Sequence, residues 1–277
     1  MISVHFRKGG TMEASKSGGI EDLTGFAMEV IRRSGEEALS YYGKGSSKIK
    51  FDEELVTEAE LRLVNFFQDE LHAHFPEHRV IENSQGSKDY SHEEKRYLWI
   101  YDALDGVANF QAGIPIWGTS LALLENFWPI LGVFYMPATG DLFHAQVGHK
   151  AFWGKKKIRV SVQEDINDES LLLTYSRFHH HYESTFPGKI RDFGSTTAHI
   201  CYVAAGRAEA AVIANETYRD LAAARVILEA AGGKMYKLDG SEFSLDDYLD
   251  GQRIDAHLLV VGPDTYPDVR DYFQEIG

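Results

Sequence analysis

The sequence predicts a mixed α+β protein, and three observations on hydrophobic patterning support that class. Apolar residues recur at helical spacing between Ile20 and Tyr42, and short β-rich segments follow one another from Gly118 to Trp153. After residue 163, predicted strands alternate with predicted helices. The chain has 277 residues, 44% of them hydrophobic, which is enough for one large domain or two modest domains that share a core.

The chain is expected to divide into a tail and two halves. Residues 1–19 contain no apolar segment and are predicted to be a disordered N-terminal tail. Residues 20–162 form a predicted N-terminal α+β half, and residues 163–277 form a C-terminal α/β half that begins with an acidic linker. Since no apolar segment approaches the roughly 18 residues that a membrane-spanning helix needs, we expect no membrane contact.

The N-terminal half is predicted to contain two helices followed by strands. The first helix runs from Ile20 to Tyr42, where a Gly-Lys-Gly-Ser-Ser segment ends it. The second helix is predicted to begin at Thr57, which forms a capping-box pattern with Glu60, and to end before Pro76. Predicted strands follow at 80–82 and 97–101, and an antiparallel meander at 119–124, 130–135, 142–147 and 150–153.

The C-terminal half alternates predicted strands with helices. A helix of small residues, capped by Ser195, extends to Ala205, and a second helix from Tyr218 to Ala231 ends at a Gly-Gly pair. A closing helix is predicted over residues 266–273. The strands of this half are predicted at 171–175, 190–193, 208–214 and 258–261.

Composition and charge narrow the classes of partner. The formal net charge of −14 argues against binding to a nucleic-acid backbone, which needs clustered Lys and Arg. An anionic small molecule is compatible with this charge, because bound cations reverse the local field. The single cysteine, Cys201, excludes an intramolecular disulfide and is typical of a reducing, cytoplasmic compartment.

The segment from Trp99 to Phe110 carries the strongest chemical signal in the chain. A predicted buried strand ends in two carboxylates, Asp102 and Asp105, and Gly106 follows at once. Two like charges at one strand end are costly unless a cation lies between them, and Mg²⁺ prefers such oxygen ligands. Backbone N–H groups from Gly106 onward could hold a phosphate beside the metal. Taken alone, these residues also fit an ordinary Asp-Gly turn.

Four motifs, in the same order and at the same spacing, resemble those of the inositol monophosphatase family. The family pattern Asp-Pro-Ile-Asp-Gly-Thr-x-Asn-Phe corresponds to Asp-Ala-Leu-Asp-Gly-Val-Ala-Asn-Phe at residues 102–110. The other matches are Glu82 upstream, the turn at 194–196, and the signature that begins Arg219-Asp220 and ends at Gly233. The resemblance extends from about residue 20 to the C-terminus. It implies a layered αβαβα sandwich of the sugar phosphatase and inositol monophosphatase type, within the lithium-sensitive, Mg-dependent phosphatases that include fructose-1,6-bisphosphatase.

The resemblance also implies an activity and a site. It implies hydrolysis of a small phosphate monoester (an inositol phosphate, a sugar phosphate or a 3′-phosphonucleotide) by a metal-activated water, usually in a homodimer. Two or three Mg²⁺ are implied, with Mn²⁺ or Ca²⁺ as alternative occupants. By position, the implied metal ligands are Glu82, Asp102, Asp105, Asp220 and the carbonyl of Leu104. The implied contacts to phosphate and substrate are Gly106, Val107, Gly194, Ser195 and Thr196.

The sequence departs from the family pattern where the attacking water would be activated. The family threonine after Asp-Gly is Val107, and its usual aspartate partner corresponds to Glu60. General-base help is typically worth about 10² to 10⁴ in rate, so we expect weak hydrolysis unless Glu60 or Glu82 reaches the water. The catalytic candidates are therefore Glu82, Asp105 and Glu60. The alternative function is that of a catalytically impaired homologue that binds metal and phosphate in a regulatory role or with a protein partner.

Two further departures concern substrate recognition. The family acid that binds inositol hydroxyls corresponds to Ile213, with Glu216 nearby. Since buried polar matching drives such discrimination, we predict that myo-inositol 1-phosphate is not strongly preferred. The family tryptophan before Asp220 is replaced by Arg219, which could reach a second anionic group or be solvated at the end of its helix.

Overall fold

A computed structural model describes residues 19–45, 53–81, 97–162, 165–241 and 243–276, with side chains from Val56 onward in the second range. Its helices are α1 (Ile20–Leu39), α2 (Glu53–His74), α3 (Val107–Ala112), α4 (Phe178–His181), α5 (Thr196–Ala204), α6 (Tyr218–Ala230) and α7 (Tyr266–Arg270). Its strands are β1 (Arg79–Val80), β2 (Tyr97–Asp105), β3 (Gly118–Glu125), β4 (Trp128–Met136), β5 (Asp141–Gln146), β6 (Ala151–Trp153), β7 (Lys156–Ile158), β8 (Leu171–Thr174), β9 (Tyr182–Ser184), β10 (Lys189–Arg191), β11 (Ala210–Ile213), β12 (Lys234–Lys237), β13 (Leu258–Val261) and β14 (Phe273–Glu275).

Two sheets form the frame of the molecule. The first contains β1 to β7 in chain order, with β1 parallel to β2 and the later neighbours antiparallel. The second has the order β10-β8-β11-β13-β12, in which β13 is antiparallel to both of its neighbours. A small third sheet pairs β14 with β9. The predicted antiparallel meander is confirmed.

The first sheet is buried on both faces, which explains the unbroken apolar segment of β2. Because side chains alternate along a strand, Tyr97, Trp99 and Tyr101 pack on the side of α1 and α2. Leu98 and Ile100 pack on the opposite side, in a core cluster with α5 and α6. A strand that faces helices on both sides needs no polar alternation.

The second sheet completes the layers. Its inner residues, such as Leu173 and Val260, join the same core cluster around α5 and α6. Its outer residues, such as Leu172, pack against Phe178 of α4 and Val269 of α7. The order of layers is therefore helix, sheet, helix, sheet, helix, and the predicted αβαβα sandwich is confirmed.

Two predicted boundaries are wrong. Helix α2 begins at Glu53, so Thr57 is an interior helical residue and does not cap the helix. The closing helix ends at Arg270, and Phe273 begins a strand that pairs with β9. The predicted tail, apart from Gly19, and the whole loop that carries Glu82 lie outside the described residues, and the division into two halves stays a prediction.

The cysteine and the tryptophans differ in their burial. Cys201 is a free, fully buried cysteine within the core cluster. Trp117 is fully buried in the layer of α1 and α2, whereas Trp128 is 62% exposed. Within the described ranges, none of the helices combines the length and the apolar character that crossing a membrane requires.

Candidate active site

A β-bulge in β2 places the two motif carboxylates. Asp102 and Asp105 are both paired with β3, but residues 103–104 between them face a single residue of that strand. In a regular strand, residues three apart point to opposite faces. Because two residues here take the place of one in the pairing with β3, both carboxylates point to the same side. Both lie near Asp220, whose charge raises the pKa of each. The bulge also includes Leu104, whose carbonyl is one of the implied metal ligands.

The turn that begins α5 holds Asp105. The Ser195 hydroxyl donates to Oδ2 of Asp105 over 2.6 Å, and the Thr197 N–H donates to the same oxygen over 2.8 Å. Ser195 is also the N-cap of α5, since its hydroxyl accepts a hydrogen bond from the Ala198 N–H. The start of α5 therefore orients a carboxylate at the end of β2.

Two glycines and one asparagine allow these segments to meet. Gly106 has φ +81°, and a β-carbon there would lie 2.9 Å from the Ile116 carbonyl oxygen and 3.2 Å from that of Gly194. Asn109 Nδ2 donates to the carbonyls of Ile116 and Phe193, each over 2.6 Å. Residues with side chains would separate the backbones of the two segments, so the junction requires glycine.

Asp220 reaches the site from the first turn of α6. Its Oδ2 accepts hydrogen bonds from the N–H and the hydroxyl of Thr217, at 2.7 and 2.8 Å, in a capping box. Its Oδ1 lies 3.9 Å from Nε of the preceding Arg219. The same Nε lies 4.0 Å from Oδ1 of Asp102. The helix start therefore brings one acid and one base towards the end of β2.

Burial and mutual repulsion disturb the titration of these acids. Asp102 is only 7% exposed, and desolvation, followed by the charge of Asp220, raises its pKa to about 7. Desolvation also raises the pKa of Asp105, against the hydrogen bond from Ser195. Clustered acids with raised pKa values are typical of functional sites, since the cluster becomes stable as anions only with a cation.

Glu60 lies within electrostatic range of Asp102, and Val107 is the first residue of α3. Glu60 lies partly buried on α2, where its charge raises the pKa of Asp102 and is itself influenced by Arg219. Desolvation raises the pKa of Glu60. The side chain of Val107 packs against the core cluster of α1 and α2, so it presents no group that can carry a proton.

Glu216 is a site acid that the sequence prediction did not include. Its Oε1 accepts a hydrogen bond from the Thr196 hydroxyl over 2.7 Å. Desolvation raises the pKa of Glu216 to about 8, with further increases from Asp220 and Asp105. Ile213, in contrast, is the last residue of β11 and is 1% exposed, so its side chain is not available to a substrate. The position of Glu216, four residues before Asp220, was the available signal.

The donor set suits a divalent cation in its chemistry. Asp102, Asp105 and Asp220 offer hard oxygen ligands, and their mutual repulsion would be relieved by a bound cation. Among the residues that the structure describes, however, no three Asp, Glu, His or Cys side chains form a group ready to hold a metal. Arg219 approaches the oxygens of two of these acids, and Glu82 lies outside the described residues.

The structure brings together most of the residues expected at the site. Hydrogen bonds, ion-pair distances or electrostatic effects connect five of them: Glu60, Asp102, Asp105, Ser195 and Asp220. Gly194 and Thr196 flank Ser195 in the same turn, and the Gly194 carbonyl lies close to Gly106. Leu104, Gly106 and Val107 are contiguous with this group in β2 and α3. Glu216 and Arg219, which the sequence analysis mentioned but did not assign to the site, come from the segment around the start of α6.

Comparison with known proteins gives matches over most of the chain. Residues 20–259 match the model of the inositol monophosphatase family. The chain is 30% identical over 277 residues to inositol monophosphatase 1 of Solanum lycopersicum, covering 94% of this chain and 96% of the relative. It is 28% identical over 228 residues to a fructose-1,6-bisphosphatase/inositol-1-monophosphatase of Thermotoga maritima, covering 80% and 87% of the two chains.

A further relative and a solved structure agree with these matches. A histidinol-phosphatase of Chlorobaculum parvum is 29% identical over 230 residues, covering 79% of this chain and 87% of the relative. The solved structure of an IMPase from Thermotoga maritima superimposes with a TM-score of 0.73 at 25% identity, covering 91% of this chain and 96% of that one. The likeness therefore extends over nearly all of both chains.

Proposed function

The chain belongs to the inositol monophosphatase family, and on that premise we propose that it hydrolyses a small phosphate monoester with the help of Mg²⁺. The observation that carries the proposal is the convergence of Asp102, Asp105 and Asp220 beside the junction of Gly106 and Gly194. Phosphatase activity of the inositol monophosphatase type is what the family and its named relatives support. The metal and the substrate are our additions.

The ligands that would hold Mg²⁺ are Asp102, Asp105 and Asp220, with the Leu104 carbonyl and Glu82. When bound, the ion supplies a more acidic water and neutralises charge on the phosphoryl oxygens. The chain's own part is orientation. Ser195 fixes Asp105, the capping box fixes Asp220, and the bulge fixes Asp102 relative to both.

The remaining groups have distinct proposed roles. The N–H groups of Gly106 and Val107 open α3, where no intrahelical partner is available to them, and would donate to the phosphate. Glu60 is the proposed acceptor of the water's proton, because burial raises its pKa towards the useful range for a base. In this proposed step the water oxygen bonds to phosphorus as its proton passes to Glu60, the P–O bond to the alcohol breaks, and the departing alkoxide takes a proton from solvent.

The substrate is proposed to be a sugar phosphate, an inositol phosphate or a 3′-phosphonucleotide. Relatives are named for fructose 1,6-bisphosphate, inositol phosphate and histidinol phosphate, so the family tolerates several alcohols. Because Ile213 is buried, we assign the binding of substrate hydroxyls to Glu216, which is hydrogen-bonded to Thr196. We retain the prediction that myo-inositol 1-phosphate is not strongly preferred.

The direct test is phosphate release by purified protein, with Mg²⁺ or with EDTA. The panel contains inositol 1-phosphate, fructose 1,6-bisphosphate, adenosine 3′,5′-bisphosphate, histidinol phosphate and β-glycerophosphate. We expect Mg²⁺-dependent release from at least one member and its loss in Asp105→Asn. Val107→Thr should raise turnover about tenfold or more, since it restores a hydroxyl beside the water. Val162→Thr, the same change at an exposed position, is the matched control.

A second candidate function follows from Val107. The apolar side chain at this position favours a catalytically impaired homologue that keeps the metal and phosphate pocket for a regulatory or partner-binding role. Silence across the panel, with Mg²⁺ binding still seen by calorimetry, would select this candidate. The homodimer and the cytoplasmic location stay predictions; light scattering on the purified protein measures the first.

A further inference from the structure

The Arg219 guanidinium lies between two acids of the proposed metal site. Its Nε is 4.0 Å from Oδ1 of Asp102 and 3.9 Å from Oδ1 of Asp220. These distances are ion-pair distances but too long for a direct hydrogen bond. The Nε atom is buried and has no hydrogen-bond partner among the described residues, although the side chain as a whole is 39% exposed. A buried N–H without a partner is costly, so its position here needs a reason.

The reason is the surrounding charge. Asp102, Asp220 and Glu60 are acidic groups close to Arg219, and its positive charge favours the ionised forms of Asp102 and Glu60. Since Asp220 is held by its capping box and Asp102 by the bulged strand, neither acid is placed by Arg219 itself. The Arg219 guanidinium therefore lies in a pocket whose acids are held in place by other contacts.

An ion bound by both aspartates would lie close to this nitrogen. Mg²⁺ binds carboxylate oxygens at about 2.0–2.1 Å. Since Nε is 4.0 and 3.9 Å from the two Oδ1 atoms, an ion bound to either of them would lie at most about 6 Å from Nε. Two cations this close repel each other, so Arg219 either moves away or weakens the binding of the ion.

We infer that Arg219 is a tethered counter-cation of this pocket, which neutralises Asp102 and Asp220 in the metal-free protein and lowers the pocket's affinity for a divalent ion. The effect on ion affinity rests on the proposed function, which supplies the divalent ion. The neutralising role of Arg219 in the metal-free protein is independent of the proposed function.

The test compares three variants without using activity. Arg219→Met keeps the aliphatic stem and removes the charge, and Arg219→Lys keeps a charge. Arg62→Met is the matched control, because it removes an exposed arginine whose ion-pair partner is Glu37 rather than Asp102 or Asp220. Isothermal titration with MgCl₂ gives the dissociation constant, and thermal melting at pH 8 in EDTA gives the metal-free stability.

We expect Arg219→Met to bind Mg²⁺ about tenfold or more tightly than Arg62→Met, and to melt at a lower temperature in EDTA. Arg219→Lys should resemble the wild type in both measurements. Equal Mg²⁺ affinities of Arg219→Met and Arg62→Met, or weaker binding by Arg219→Met, would overturn the inference. If no variant binds Mg²⁺ but Arg219→Met still melts lower in EDTA, the proposed function fails and the neutralising role of Arg219 is supported.

Discussion

Replacing Gly106 by alanine tests the junction that assembles the site. Gly106 has φ +81°, a conformation that costs an L-residue about 1–2 kcal/mol. The new β-carbon would also lie 2.9 Å from the Ile116 carbonyl oxygen and 3.1 Å from Cα of Trp117, both of them backbone atoms. Overpacking against backbone costs about 1–3 kcal/mol more. We therefore expect Gly106→Ala to lower the free energy of unfolding by about 2–5 kcal/mol.

Gly140 supplies the matched control. It has φ +76°, close to that of Gly106, but a β-carbon there would meet no atom within 4 Å. Gly140→Ala should therefore carry the conformational cost alone, about 1–2 kcal/mol. Any gain from reduced entropy of the unfolded chain is shared by both variants and cancels in the comparison.

The assay is urea denaturation of both variants in EDTA, followed by circular dichroism, with phosphate release measured separately. Gly106→Ala should unfold at clearly lower urea than Gly140→Ala and should lose phosphate release, because its β-carbon would also press on the Gly194 carbonyl. Equal losses of stability in the two variants, within about 0.5 kcal/mol, would show that the contact geometry around Gly106 is wrong.

Three further predictions concern residues around this junction. Ser195→Ala should cost about 1–2 kcal/mol by thermal or urea unfolding, since it removes the cap of α5 and a hydrogen bond to Asp105. Asn109→Asp should destabilise the protein by about 2 kcal/mol or more, because both bonds to carbonyls need the amide donor; an unchanged urea midpoint would refute this. The pKa of Glu216 is raised to about 8 in the folded protein, so the folded state holds the proton more tightly than the unfolded chain. Stability in EDTA should therefore fall as pH rises from about 5 to about 8, and Glu216→Gln should flatten that profile in thermal melts.

Local pattern was sufficient for much of the fold. The amphipathic spacing of α1, the cap of α5 at Ser195 and the Gly-Gly end of α6 are all signals within one turn of the boundary that they mark. The start of α2 was misplaced because Thr57 has a capping residue's chemistry but the helix continues through it. The strand at Phe273 was missed because its partner, β9, lies about 90 residues away, a pairing with no local signal.

In the candidate site, too, local features were predictable from the sequence and long-range contacts were not. The order Asp102, Asp105, Gly106 was visible as a motif, but the bulge that turns both carboxylates to one side was not, since it depends on pairing with β3. Ser195 was predicted as a helix cap, whereas its hydrogen bond to Asp105 depends on the contact between the start of α5 and the end of β2. Arg219 was ambiguous in the sequence because only the folded start of α6 decides between solvent and the acids of the pocket.

The bulge in β2 has a consequence for the kinds of change that this site can survive. Residues 103–104 together face one residue of β3, and this is why Asp102 and Asp105 point to the same face although they are three positions apart. A substitution at either position alters packing but leaves the count of residues between the two carboxylates unchanged. If the bulge were lost by a slip in pairing with β3, with the length of the segment unchanged, the carboxylates would be three apart in a regular strand and would point to opposite faces. The site therefore depends on how this segment pairs with β3 more strictly than on which residues occupy positions 103 and 104.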